Sequence, residues 1–289
     1  MSFKNKLVMG AMSATLGISL VAGGTWAAFN DIETNTGSMA AGELNLELAP
    51  LSADQPYEFL VSNLKPGDSM KRALEFKNTG TLAIKDVLMS IELVEFGDYA
   101  PTEAGMAGYG DTWAADHNTS ALDFLDQFQV SVIQLGEPNA TDTYPKNILL
   151  QNVSLKDFYL ASDSVDPSNN KFGATETEIN QAKIDVFNKV RSGYIKAGDD
   201  RLVVSTIDEN GYYGIPVSPN DSDKLEIEIE FVKNDTAKYE DGTHEQNIYQ
   251  GDSVDLKVAF EASQWDGQDV SDEDGEIESN KNANNGEDF

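Results

Sequence analysis

Between Leu225 and Phe231 every second residue is apolar, and Glu226, Glu228 and Glu230 stand between Leu225, Ile227, Ile229 and Phe231. A period of two puts all four apolar side chains on one face only in an extended strand; on a helix they would scatter around the axis. The segment is therefore a half-buried β-strand. Its row of glutamates is expected to discourage unwanted pairing at an edge.

The same pattern recurs along the chain. Leu44, Leu46 and Leu48 alternate with Glu43, Asn45 and Glu47, and Tyr57–Val61 reads as a second strand. The turn Asn63-Leu64-Lys65-Pro66-Gly67-Asp68 follows, with Pro66 presetting φ and Gly67 supplying the positive φ of a type II turn. Met70–Lys77 then reads as the return strand, with Leu74 and Phe76 inward, and Leu82–Phe96 as a long, bent strand with Val87, Met89, Ile91 and Leu93 on one face. Gln129–Leu135, the short apolar segment Ile148–Leu150, Arg201–Ile207 and the run through Val254, Leu256, Val258 and Phe260 to Trp265 complete the strand candidates.

Three helices are signalled by their caps. Thr119-Ser120 precedes Asp123, Ser154 precedes Asp157, and Thr175 with Glu178 forms a capping box ahead of Ile179, Ala182, Val186 and Val190, closed by Gly193. Gly97–Asn118, which holds Trp113 and His117, has no periodicity and reads as a surface insertion. Eight to ten strands with two or three short helices in the connections predict a mainly β fold, a jelly-roll-type antiparallel β-sandwich over residues 43–265. Residues 266–289 are rich in acids, with Lys281 their only base, and are expected to be a disordered tail.

The start of the chain reads as a secretory signal over residues 1–27: Lys4 and Lys6, an apolar run from Leu7 to Ala22, and small residues before Ala27. A membrane anchor is the alternative, but the run falls short of the ~20 apolar residues a spanning helix needs, and Gly23-Gly24 breaks it. Cleavage between Ala27 and Ala28 leaves a free arm over residues 28–42. The chain carries 50 acidic and 20 basic residues, a net charge of −30, and no cysteine. That charge repels nucleic acid and anionic lipid, and the missing cysteines exclude disulfides and thiol chemistry.

Reactive constellations are sparse. His117 and His244 sit in polar sequence, and His244-Glu245 meets Ile248 where an HExxH helix needs its second histidine. Asp272, Asp274 and Gly275 resemble part of a calcium loop, but Val270 and Lys281 stand at its end positions. No catalytic, cofactor or metal site is expected, beyond weak, diffuse Ca²⁺ binding by the acidic surface.

Several blocks carry a resemblance: LGISLVAGGTWAAFNDIE, NLKPGDS, FKNTGTLAIKDVLM, YPKNILL followed by LKDFYL, NIYQGDSV and FEASQW. Together, in this order, they resemble the TasA/camelysin family, which includes biofilm-matrix fibre proteins of Bacillus. The resemblance implies export from a Gram-positive cell and processing after Ala27 by a dedicated signal peptidase. It also implies a jelly roll that polymerises into extracellular fibres with itself, alongside accessory or anchoring matrix proteins. The donated strand carried over to this chain is Ala28, Phe29, Asn30, Asp31, Ile32 and Glu33, added to the sandwich of the next subunit. The alternatives are an arm that folds back on its own domain, a secreted metallopeptidase of camelysin type, and a monomeric cation-binding adhesin.

Overall fold

The computed structural model describes residues 42–51, 59–61, 64–98, 119–136, 146–162, 165, 171–197, 200–206, 213–217, 221–238, 242, 244–267 and 278–286. Among them are nine strands: β1 (Leu46–Pro50), β2 (Phe59–Val61), β3 (Ser69–Asn78), β4 (Asp86–Gly97), β5 (Phe128–Leu135), β6 (Lys146–Ser154), β7 (Leu202–Val203), β8 (Ser222–Phe231) and β9 (Ser253–Ser263). They form two antiparallel sheets in the orders β1-β3-β8-β5-β6 and β2-β9-β4-β7. The fold is mainly β, as the alternation requires.

Both sheets close on one core. Leu225, Ile227, Ile229 and Phe231 of β8 are buried together with Val87, Met89, Ile91 and Leu93 of β4 in the opposite sheet. Burying each such side chain contributes about 1.5–3 kcal/mol. The bend read in the long strand is a register shift between Leu93 and Glu95 against β9. A bulge of this kind lets a strand follow the curvature of its sheet.

Two tertiary expectations are corrected. The Lys65–Asp68 turn forms as read, with the Asp68 N–H donating to the Lys65 carbonyl at 2.9 Å and Gly67 at φ +94°. Yet β3 does not return beside β2. It crosses to the other sheet and pairs with β1 and β8, while β2 pairs with β9. A tight turn reverses the chain without deciding which sheet receives it. The glutamate row of β8 likewise guards no edge, because β8 is the middle strand of five. Its charges lie on the outer face, where Lys71 reaches Glu228 at 3.0 Å and Lys146 reaches Glu226 at 2.6 Å.

The helices start where their caps were read: α1 (Ala121–Leu125) behind Ser120, α2 (Leu155–Leu160) behind Ser154, and α3 (Glu176–Phe187) behind Thr175. The capping box of α3 is complete, and Ile179, Ala182 and Val186 are buried. α3 stops at Phe187, before Gly193, which turns a later loop at φ +90°. β6 runs from Lys146 to Ser154, much longer than the apolar segment Ile148–Leu150, because its bulges against β5 break the period that would have revealed it. β7, by contrast, is only two residues long, where Arg201–Ile207 was expected. In the acidic tail, residues 278–286 form two 3₁₀ turns, a departure from the expected disorder. Backbone bonds hold them: Ala83 donates to Asn280 at 2.7 Å and Val217 to Lys281 at 2.7 Å. Composition hides this, since main-chain partners do not depend on side-chain polarity.

Candidate functional site

The two inner strands of a four-stranded sheet should each have neighbours on both sides; among the described residues β4 has β7 beside only Leu88 and Met89, and β9 has β2 beside only part of its length. On one side it pairs with β4 from Ser253 to Ser263. On the other, β2 covers Val254, Asp255 and Leu256 alone. Among the described residues, Lys257–Ser263 therefore have a strand partner on the β4 side and none on the other.

Side-chain burial marks the same boundary. Val254 and Leu256 are 1% and 3% exposed, whereas Val258, Phe260 and Ala262, on the same face, are only half-buried. These three still pack on the core, as do Leu44, Leu46 and Leu48 at the β1 side of the other sheet. Phe260 meets Phe76 of β3 at 4.9 Å between ring centroids, so the seam along β9 faces the side of the sandwich where β1 lies. An exposed ladder edge above a half-buried apolar row is what an added strand would complete.

At the far edges of both sheets other backbone segments make contact. Arg191 donates to the Leu149 carbonyl beside β6, and Ile195 bridges Leu202 beside β7. The end of the β9 edge is pinned by Asp86, a fully buried carboxylate paired with Lys196. Asp86 also accepts from Tyr213 at 2.8 Å and from Ser263 at 3.0 Å. Burial, and then the Asp86 carboxylate, push the Tyr213 hydroxyl well above its usual range, so it stays a donor.

The candidate site residues of the arm, Ala27, Ala28, Phe29, Asn30, Asp31, Ile32 and Glu33, lie outside the described residues, as do Trp113, His117, Val270, Asp272, Asp274 and Gly275. His244 precedes a 3₁₀ turn, Glu245–Tyr249, and bridges Lys238. Lys281 pairs with Glu278 at 3.0 Å. Among the described residues, no three His, Asp or Glu side chains are grouped to hold a metal ion, and no helix is long and apolar enough to cross a membrane. The β9 edge was not named from the sequence. Nothing in the local residue types gave it away, because which strands lie side by side is decided by pairing between distant segments.

Fold and site together define an antiparallel β-sandwich in which, among the described residues, Lys257–Ser263 of β9 have a strand partner on one side. The chain belongs to the camelysin metallo-endopeptidase family, which it matches over residues 2–107 and 170–269. It is also 39% identical over 290 residues to the major biofilm matrix component of Bacillus subtilis (strain 168), across 98% of this chain and 98% of that protein.

Proposed function

We propose that this protein is an exported structural subunit of an extracellular biofilm matrix. In this reading the arm Ala28–Glu33 of one copy adds as a strand to the Lys257–Ser263 edge of the next. The strand order supports a jelly-roll winding, since β2-β9-β4-β7 and β3-β8-β5-β6 are its two sheets, with β1 added at one edge. A signal peptidase frees the arm by cutting between Ala27 and Ala28, and accessory matrix proteins anchor the fibre. The relative's name supports a structural role over a catalytic one.

The observation that carries the mechanism is the half-burial of Val258, Phe260 and Ala262 under an edge without a strand partner among the described residues. A peptide from another chain gains main-chain hydrogen bonds there, and Phe29 or Ile32 can cover the apolar row. Because donor and acceptor are different surfaces, the contact is heterologous and, where its rotation does not close into a ring, repeats as a filament. The test is electron microscopy of mature protein with and without residues 28–33. Filaments are expected only from the intact form, and equal filaments from both would refute the mechanism.

A further inference from the structure

The peptide that leads from the arm into β1 is gripped by the loop after β3. Asn78, nearly buried, donates to the carbonyls of Leu82 at 2.8 Å and Ile215 at 3.0 Å, and accepts from the Gly80 N–H at 3.0 Å, so the loop is rigid. The loop then holds the peptide from both of its polar sides. Thr79 N–H donates to the Asn45 carbonyl at 3.0 Å, and Asn45 Nδ2 donates to Thr79 Oγ1 at 2.9 Å. Glu43 N–H donates to Thr81 Oγ1 at 2.7 Å, while its carbonyl accepts from Thr81 at 2.7 Å and Leu82 at 3.1 Å. At Gly80 a Cβ would stand 2.3 Å from the Glu43 oxygen and 2.7 Å from the Asn45 nitrogen, so this approach admits glycine alone.

These bonds continue the β1–β3 pairing beyond Leu46 and Asn78 and add two side-chain hydroxyl contacts to it. We propose that Asn78–Leu82 is a clamp that fixes the root of the donated arm, with Thr79, Gly80 and Thr81 its positioning residues. The inference rests on the strand-donation reading above. A fixed root leaves fewer arm conformations to be lost on docking, and it sets the angle between successive subunits. The Thr79 and Thr81 hydroxyls bond to Asn45 and Glu43 rather than to Lys257–Ser263, so removing them is expected to change donation and spare acceptance.

The test uses the mature full chain with Thr79→Val and Thr81→Val together, which remove both hydroxyls and keep side-chain shape, and Gly80→Ala separately. Should Gly80→Ala fail to fold, the double variant carries the test. The double variant is expected to keep the wild-type circular dichroism spectrum and to accept wild-type arms at the normal rate. Its own arm should be donated about tenfold more slowly, through two lost hydrogen bonds, and its fibres should bend more, with a shorter persistence length in micrographs. Equal loss of donation and acceptance would indicate a general fold defect and overturn the clamp, as would donation and fibre stiffness matching wild type. Filaments from protein lacking residues 28–33 would instead overturn the strand-donation reading itself.

Discussion

Phe76 and Phe260 meet edge to face across the two sheets, with ring centroids 4.9 Å apart and planes at 65°, yet one is fully buried and the other only half-buried. Phe76 belongs to β3, which has β1 on one side and β8 on the other. Phe260 belongs to the stretch of β9 that β2 does not reach. The difference in burial follows a difference in strand neighbours among the described residues.

Two assembly-dead variants should rescue one another for a single step. Val258→Asp places an unpaired carboxylate in the apolar row, at a cost of roughly 2 kcal/mol or more per junction, but keeps a normal arm. Protein lacking residues 28–33 keeps a normal edge. Each alone should stay monomeric, and a mixture should stop at a 1:1 heterodimer, measurable by light scattering after size exclusion. Filaments in the mixture, or no complex at all, would contradict head-to-tail donation.

Stability should rise as neutral solution is made mildly acidic. Asp223, on the inward face of β8, accepts from the Thr206 N–H at 2.7 Å and the Thr206 hydroxyl at 2.5 Å, but burial raises its pKa from 3.8 to about 6. A carboxyl whose folded pKa lies above its unfolded value destabilises the fold when ionised, and the penalty fades as pH falls from above 6 towards 4. Its size is on the order of 2 kcal/mol. Asp223→Asn, which can still accept from the Thr206 N–H while its amide donates to the Thr206 hydroxyl oxygen, should raise the melting temperature at pH 7.5 and flatten its change between pH 7.5 and 5. A parallel pH profile in the variant would assign the effect elsewhere.

Truncating the two phenylalanines should give different results in the monomer. Phe76→Ala empties a fully enclosed site and should cost about 3–5 kcal/mol in denaturant unfolding. Phe260→Ala removes a half-buried ring and should cost roughly half that, while weakening assembly, because the added strand loses the ring it would cover. Equal destabilisation of the monomer by both would mean that the β9 seam is already closed.

Residues 225–231 show how much was legible in the chain. Alternation alone oriented Leu225, Ile227, Ile229 and Phe231 inward, and the same reading held for Leu74 and Phe76. Caps at Ser120, Ser154 and Thr175, and the Lys65–Asp68 turn, were equally plain, because each is satisfied by neighbours within a few residues. The sequence by itself thus determined which face of each strand is apolar and where helices and turns begin. Only the tertiary structure decided that β8 is central, that β2 and β3 lie in different sheets, that residues 278–286 bond to the body, and that β9 outruns its partner. Strand pairing is a competition among segments far apart in the chain, settled by backbone hydrogen bonds that every residue offers alike, and so it leaves little trace in local residue types.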